Sequence, residues 1–259
     1  MCFLYTINTM TIFYSILIFF LGTLFTSFFQ VIAYRLPNHE SINGRSYCPS
    51  CHHQLRIIDI LPILGYIINK GRCHFCKNSI PVSHILMEIL GGVVFAIAFL
   101  LFGFTLEFII SIILISVLLI ESMSDQKYMI VIDRIWMIGL VPVIIIRLIQ
   151  QDILIYLLSS AILFSILFLF AILGKLIYKK DAFGGGDIKL YIFIGFCLTY
   201  QQGLFSLFLA SLFGFIYGIA RRDKMNQEIA FIPFIALGTI IAYFFGSAWI
   251  DWYMYMLGV

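Results

Sequence analysis

A chain of 259 residues that is 62% hydrophobic, with 27 Phe and a mean hydropathy of +1.05, cannot hide its apolar surface as a soluble globular domain, which is about half apolar. A net charge of +3 is too small for a nucleic-acid interface, so no nucleic-acid partner is expected. Apolar runs of membrane-spanning length, roughly 20 residues each, cover most of the chain and predict an all-α polytopic membrane protein set in a lipid bilayer.

The first run, residues 10–33, has no basic residue ahead of it and no small-x-small cleavage site before Arg35, so a retained transmembrane helix is expected rather than a signal peptide. Residues 34–83 form the one long polar stretch, with four of the six cysteines, four of the five histidines, and six Lys or Arg against two acids. Within it, Cys48-Pro-Ser-Cys51 and Cys73-His-Phe-Cys76 are two C-x-x-C knuckles separated by 21 residues. Each offers two thiolates from one tight turn, and the two together complete a tetrahedral structural zinc site. A redox dithiol is the competing reading. His39, His52, His53 and His74 are read as solvated groups or groups supporting the ligands, and Cys197 as core packing.

Seven further apolar segments follow, at 84–104, 106–124, 129–149, 152–177, 188–200, 201–220 and 229–248, giving about eight transmembrane helices; the segment at 188–200 is short enough for a half-length or tilted helix. Cytoplasmic loops carry the excess of Lys and Arg. With 34–83 in the cytoplasm, the breaks holding Lys127, Lys179, Lys180, Arg221, Arg222 and Lys224 fall on the same side, and Arg147 is the one basic residue in an opposite-side break. Both chain ends then lie outside. The division expected is a first helix at 1–33, a cytoplasmic zinc-binding loop domain with its four cysteines at 34–83 and a membrane domain at 84–259.

The same alternation puts two acids at the cytoplasmic boundary, Asp125 in a short polar break and Asp187 after Gly184-Gly-Gly186. Acids at a membrane boundary are costly and usually functional. Facing one cavity, two carboxylates can share a proton, one activating water while the other polarises an amide carbonyl. The glycines of the turn, Gly184, Gly185 and Gly186, permit positive φ or close approach of backbone to a substrate strand. Lys189 either supports the ionised state or reaches lipid phosphate. On the residues alone, Glu121 and Asp133 are alternative partners for Asp187, and Asp187 could be a simple helix N-cap. A proton-coupled transporter, a membrane thiol oxidoreductase and a non-catalytic zinc-bearing assembly protein are the readings from other classes.

In order and spacing, the chain resembles the type IV prepilin peptidase family, membrane aspartic proteases of the Gly-x-Gly-Asp type. The resemblance runs through residues 26–37 (Thr-Ser-Phe-Phe-Gln-Val-Ile-Ala-Tyr-Arg-Leu-Pro), the two knuckles, 59–66 (Asp-Ile-Leu-Pro-Ile-Leu-Gly-Tyr), Glu88, 184–190 (Gly-Gly-Gly-Asp-Ile-Lys-Leu) and 231–238 (Phe-Ile-Pro-Phe-Ile-Ala-Leu-Gly). It implies a peptidase over 84–259 with Asp125 and Asp187 catalytic. It also implies a prepilin or pseudopilin substrate with a short basic leader, a bacterial plasma-membrane location, and a second, S-adenosylmethionine-dependent methylation of the new N-terminus. Arg35, Pro37 and Glu88 belong to the motifs of the first half, as methyltransferase or structural residues. The chain departs from the pattern at Thr26 for Gly, Gln30 for Asn, Pro81 and Ile85 for Ser and Pro, and Ile132 where the family has Pro ahead of Asp133.

Overall fold

The computed structural model describes residues 8–178, 184–220 and 229–256. Cys2, Lys179, Lys180, Arg221, Arg222 and Lys224, which enter the charge and cysteine reading, lie outside the described residues. The described chain is nearly all helical: α1 Thr9–Arg35, α2 Ile57–Ile60, α3 Leu64–Ile68, α4 Val82–Phe102, α5 Leu106–Tyr128, α6 Asp133–Ile149, α7 Ile153–Tyr178, α8 Gly185–Cys197, α9 Tyr200–Ala220 and α10 Ile232–Met256. Each predicted apolar segment is a helix, but six of the eight (α1, α4, α5, α7, α9 and α10) are long and apolar enough to cross a membrane. The 17 residues of α6 are interrupted by Pro142, and the 13 of α8 reach about 20 Å against a hydrocarbon core of about 30 Å. The described residues divide into two compact units, those from 8 to 104 and those from 105 to 256.

In the first unit α1 packs on α4 through small residues, as helices do where lipid offers no hydrophobic drive for association. A Cβ at Gly91 would overlap the Thr26 hydroxyl, so the two backbones approach as closely as they do because position 91 has no side chain. Thr26 satisfies its own hydroxyl by donating to the Gly22 carbonyl, 2.8 Å. Phe25 stacks on Phe95 beside this seam. Between the two helices the polar segment is organised around Asp59. Its carboxylate caps α2 by accepting the Arg56 N–H at 3.0 Å, and it also binds the Arg56 guanidinium at 3.0 Å and the Asn69 amide at 2.8 Å. The Arg56 hydrogen bond holds this carboxyl well below the usual carboxylate range.

In the second unit α5 is the central helix, buried from Val117 to Asp125 and packed against α6, α8 and α10. It ends where Met129 takes the left-handed conformation (φ 54°) and returns its N–H to the Asp125 carbonyl at 3.0 Å. The short α8 stops inside the protein, and the carbonyls at its end need donors. Arg147, 1% exposed, supplies them, reaching the Cys197 carbonyl at 2.9 Å and the Phe196 carbonyl at 3.3 Å. Ser159 donates to the Leu198 carbonyl at 2.8 Å. The Arg147 charge is balanced by Glu107 at 2.5 Å, which also accepts from Tyr243 at 2.9 Å, and the guanidinium lies 3.6 Å from the Tyr156 ring centre. The residue that stands as an exception to the charge bias is thus an internal helix cap, not a loop charge.

Removing Arg147 leaves the buried Phe196 and Cys197 carbonyls without their donor, at about 1–3 kcal/mol for each unsatisfied group. Arg147→Met is therefore expected to lower the thermal midpoint of the purified protein in detergent.

Candidate active site and metal centre

In the second unit three helix ends meet: the C-terminal end of α5 and the N-terminal ends of α8 and α10. Asp125 occupies the last turn of α5 and is 7% exposed. Its Oδ2 accepts the N–H of Ile232, the first residue of α10, at 3.0 Å. That N–H has no partner within its own helix, and it lies at the positive end of the α10 dipole, where a carboxylate is favoured. Proline at position 233 offers no N–H of its own. The anchoring donor is legible in sequence only as part of the 231–238 motif, because a backbone N–H leaves no residue signature.

Asp187 is not an N-cap. Gly184 takes that position, with φ −63° and ψ 130°, and Asp187 follows as the third residue of α8, facing back to the Gly184 amide. An acid at this position can close one half of a capping box. Asp125 and Asp187 lie within electrostatic reach of one another. The other two acids are engaged elsewhere. Glu121 is fully buried and accepts the Ile132 N–H at 2.8 Å; Asp133 is ion-paired with Lys189 at 2.7 Å. Lys189 therefore supports Asp133 and does not reach toward Asp187.

None of Gly184, Gly185 and Gly186 has positive φ, so the turn needs no unusual dihedral, and close approach is confined to Gly186. A Cβ at Gly186 would overlap Cγ2 of Val131, in the loop between α5 and α6. The start of α8 is pressed onto the chain that leaves Asp125.

In the first unit the two cysteine knuckles adopt one geometry twice. The N–H of Cys48 donates to the His53 carbonyl at 3.0 Å and that of Cys73 to the Asn78 carbonyl at 2.8 Å. His52 and Lys77, each four residues after the first cysteine, both take positive φ (55° and 60°). Isolated bridges close both turns, Tyr47 with Gln54 and Arg72 with Ser79. This repetition is hidden in the sequence because the non-cysteine residues of the two turns differ. The sulfurs of Cys48, Cys51, Cys73 and Cys76 lie within 4.8 Å of one another, with Cys48 and Cys76 3.8 Å apart. Four thiolates about 2.3 Å from a central zinc would stand about 3.8 Å apart, so the donor set fits a tetrahedral metal ion.

Of the other motif residues, Arg35 donates to the Ser41 carbonyl at 3.2 Å and lies over the Tyr47 ring, and Pro37 sits in the turn after α1. Glu88 accepts the N–H of Ile63, itself at φ 63°, at 2.9 Å. These contacts shape the polar segment.

Sequence comparison matches residues 20–102 to a profile described as the bacterial peptidase A24 N-terminal domain and residues 112–219 to the type IV leader peptidase family. A prepilin leader peptidase/N-methyltransferase of Bacillus subtilis (strain 168) is 33% identical over 247 residues, covering 93% of this chain and 98% of that protein. The chain belongs to the type IV leader peptidase family. Other members carrying the same name, from Pseudomonas putida and Vibrio cholerae serotype O1, are each 27% identical, covering 88% and 89% of this chain and 89% and 96% of their own. No solved structure gives a significant match. Membership makes the chain a multi-pass membrane peptidase, and its first unit holds a metal-competent cluster of four cysteines.

If close approach is the role of Gly186, Gly186→Ala is expected to destabilise the second unit by about 1–3 kcal/mol, the usual cost of overpacking. Val131→Ala in the same chain is expected to recover most of that in a thermal melt.

Proposed function

We propose that the chain cleaves the leader from a prepilin or pseudopilin at the membrane boundary, with Asp125 and Asp187 as its catalytic pair. The observation that carries the reading is their placement, in a member of a leader peptidase family: Asp125 takes the first N–H of α10, and the loop leaving it seats Val131 on Gly186, the residue before Asp187 in the first turn of α8. The ionised carboxylate takes a proton from water, and the protonated one hydrogen-bonds the scissile carbonyl and later protonates the leaving amine. Backbone N–H groups of Ile232 and Phe231 at the start of α10 hold the Asp125 carboxylate in place. The apolar helix of the precursor lies in the bilayer, and its leader junction meets the helix ends at the cytoplasmic side. With residues 34–83 in the cytoplasm, the two spanning helices α4 and α5 return the chain to that side at Asp125.

Zinc bound by Cys48, Cys51, Cys73 and Cys76 supplies a structural cross-link for the polar segment, since four thiolates leave no open coordination position. Methylation of the freed amine, the second activity in the relatives' names, would draw on S-adenosylmethionine, the methyl donor that the family resemblance implies. Arg35 and Glu88 are turned onto the chain's own backbone, and no cofactor-holding role follows from their contacts.

The test is cleavage of a prepilin in membranes, with the product identified by mass spectrometry. The wild type is expected to give one cut with the leader lost, and a further mass gain of one methyl group where methylation follows. Asp125→Asn and Asp187→Asn, at equal protein levels, are each expected to slow the cut by about 1,000-fold. Cleavage by either variant at the wild-type rate would overturn the assignment. Separately, the purified chain is expected to carry one zinc by elemental analysis, and Cys48→Ser or Cys73→Ser to lose it.

A further inference from the structure

The loop joining α5 to α6 is held at every residue between Ile130 and Asp133. Ser124 donates to the Ile130 carbonyl at 2.8 Å, and Val131 packs where a Cβ of Gly186 would be. Glu121 accepts the Ile132 N–H at 2.8 Å, and Asp133 pairs with Lys189 at 2.7 Å. Two of these contacts, Val131 to Gly186 and Asp133 to Lys189, bear on the first turn of α8, on either side of Asp187. The other two tie the loop back to α5, above Asp125.

Glu121 is the unusual member. It is 0% exposed, shares a helix face with Asp125, and its Oε1 has no hydrogen-bond partner among the described residues. A fully buried carboxyl committed to a single backbone amide needs a reason. Ile132 supplies it. This residue is the N-cap of α6 (φ −91°), and it stands where the family resemblance places a proline. Proline would fix φ and has no N–H. Isoleucine restores conformational freedom and adds a donor with no helical partner. Glu121 takes that donor and re-fixes the turn.

We propose that Glu121 is a positioning residue for Asp187: by accepting the Ile132 N–H it immobilises the loop on which Gly186, and with it the start of α8, is seated. This rests on the reading of Asp187 as half of the catalytic pair. Glu121 exchanges no proton with the substrate. Its bonded oxygen points to the loop, and the acid within electrostatic reach of Asp187 is Asp125.

The test uses the full-length chain in membranes with a prepilin, comparing Glu121→Gln, Glu121→Leu, Ile132→Pro and Glu121→Leu with Ile132→Pro. Glu121→Gln keeps an oxygen acceptor and is expected to retain cleavage within about 10-fold, whereas Glu121→Leu lowers kcat by about 100-fold with KM unchanged, as displacement of a catalytic group by about 1 Å does. In the Ile132→Pro chain the donor is gone, so adding Glu121→Leu is expected to cost nothing further. That comparison decides the matter even if Glu121→Leu alone does not accumulate. Hydrogen exchange of residues 184–190 gives a readout without substrate: faster in Glu121→Leu and unchanged in Glu121→Gln. Equal loss in Glu121→Gln and Glu121→Leu would make Glu121 an acid in the reaction and overturn the proposal. So would an undiminished rate in Glu121→Leu, or an undiminished penalty in the proline background. If Asp187→Asn still cleaves, the catalytic pair is wrong, and the hydrogen-exchange comparison still decides the positioning claim.

Discussion

A helix that ends inside an apolar protein leaves backbone N–H and C=O groups that water cannot reach, and a side chain has to satisfy each one. Most of the buried polar chemistry in the second unit answers that demand. Asp125 takes the first N–H of α10, Glu121 takes the N–H at the start of α6, Arg147 binds the last carbonyls of α8, and Ser159 binds the one after. Each such pairing fixes a helix end relative to α5 or to α8. The positions of the acids follow from that requirement.

The shortness of α8, about two thirds of a full span, is central to this arrangement. At 13 residues, the helix has its C-terminal end capped internally by Arg147 and its N-terminal turn, bearing Asp187, seated on the loop that leaves Asp125. The cap at one end and the glycine contact at the other set the helix along its axis. Shortness that would be a liability in a lipid-exposed helix is useful here, because it brings a helix N-terminus and its carboxylate to a place where another helix ends.

Much of this is legible in the sequence. Period and hydropathy locate the six helices of membrane-spanning length and the shorter α6 and α8, since a lipid-facing helix is written in composition, but not which of them are too short to span. The knuckle spacing locates the four sulfurs, because C-x-x-C turns fix their own geometry. Spacing alone leaves Asp125, Glu121 and Asp133 open, because all three fall where one face or one loop could hold them, and the family resemblance is what selects Asp125. What separates them is what each is bonded to: a helix N-terminus, a loop amide and a lysine. Arg147 reads in sequence as a loop charge, because a buried cap and a solvated arginine look alike in a string of letters. The glycine turn suggests dihedral freedom, whereas its use is the empty space against Val131, a long-range contact with no local signature.

The account stands on Asp125 and Asp187 acting as one unit. The measurement that bears on this most directly is single-turnover cleavage of a prepilin at enzyme excess, comparing Asp125→Asn, Asp187→Asn and the double variant. Groups that act together are lost together, so the double variant should be no slower than the slower single variant. Losses that multiply would mean two independent contributions to the rate, and the shared site would have to be abandoned.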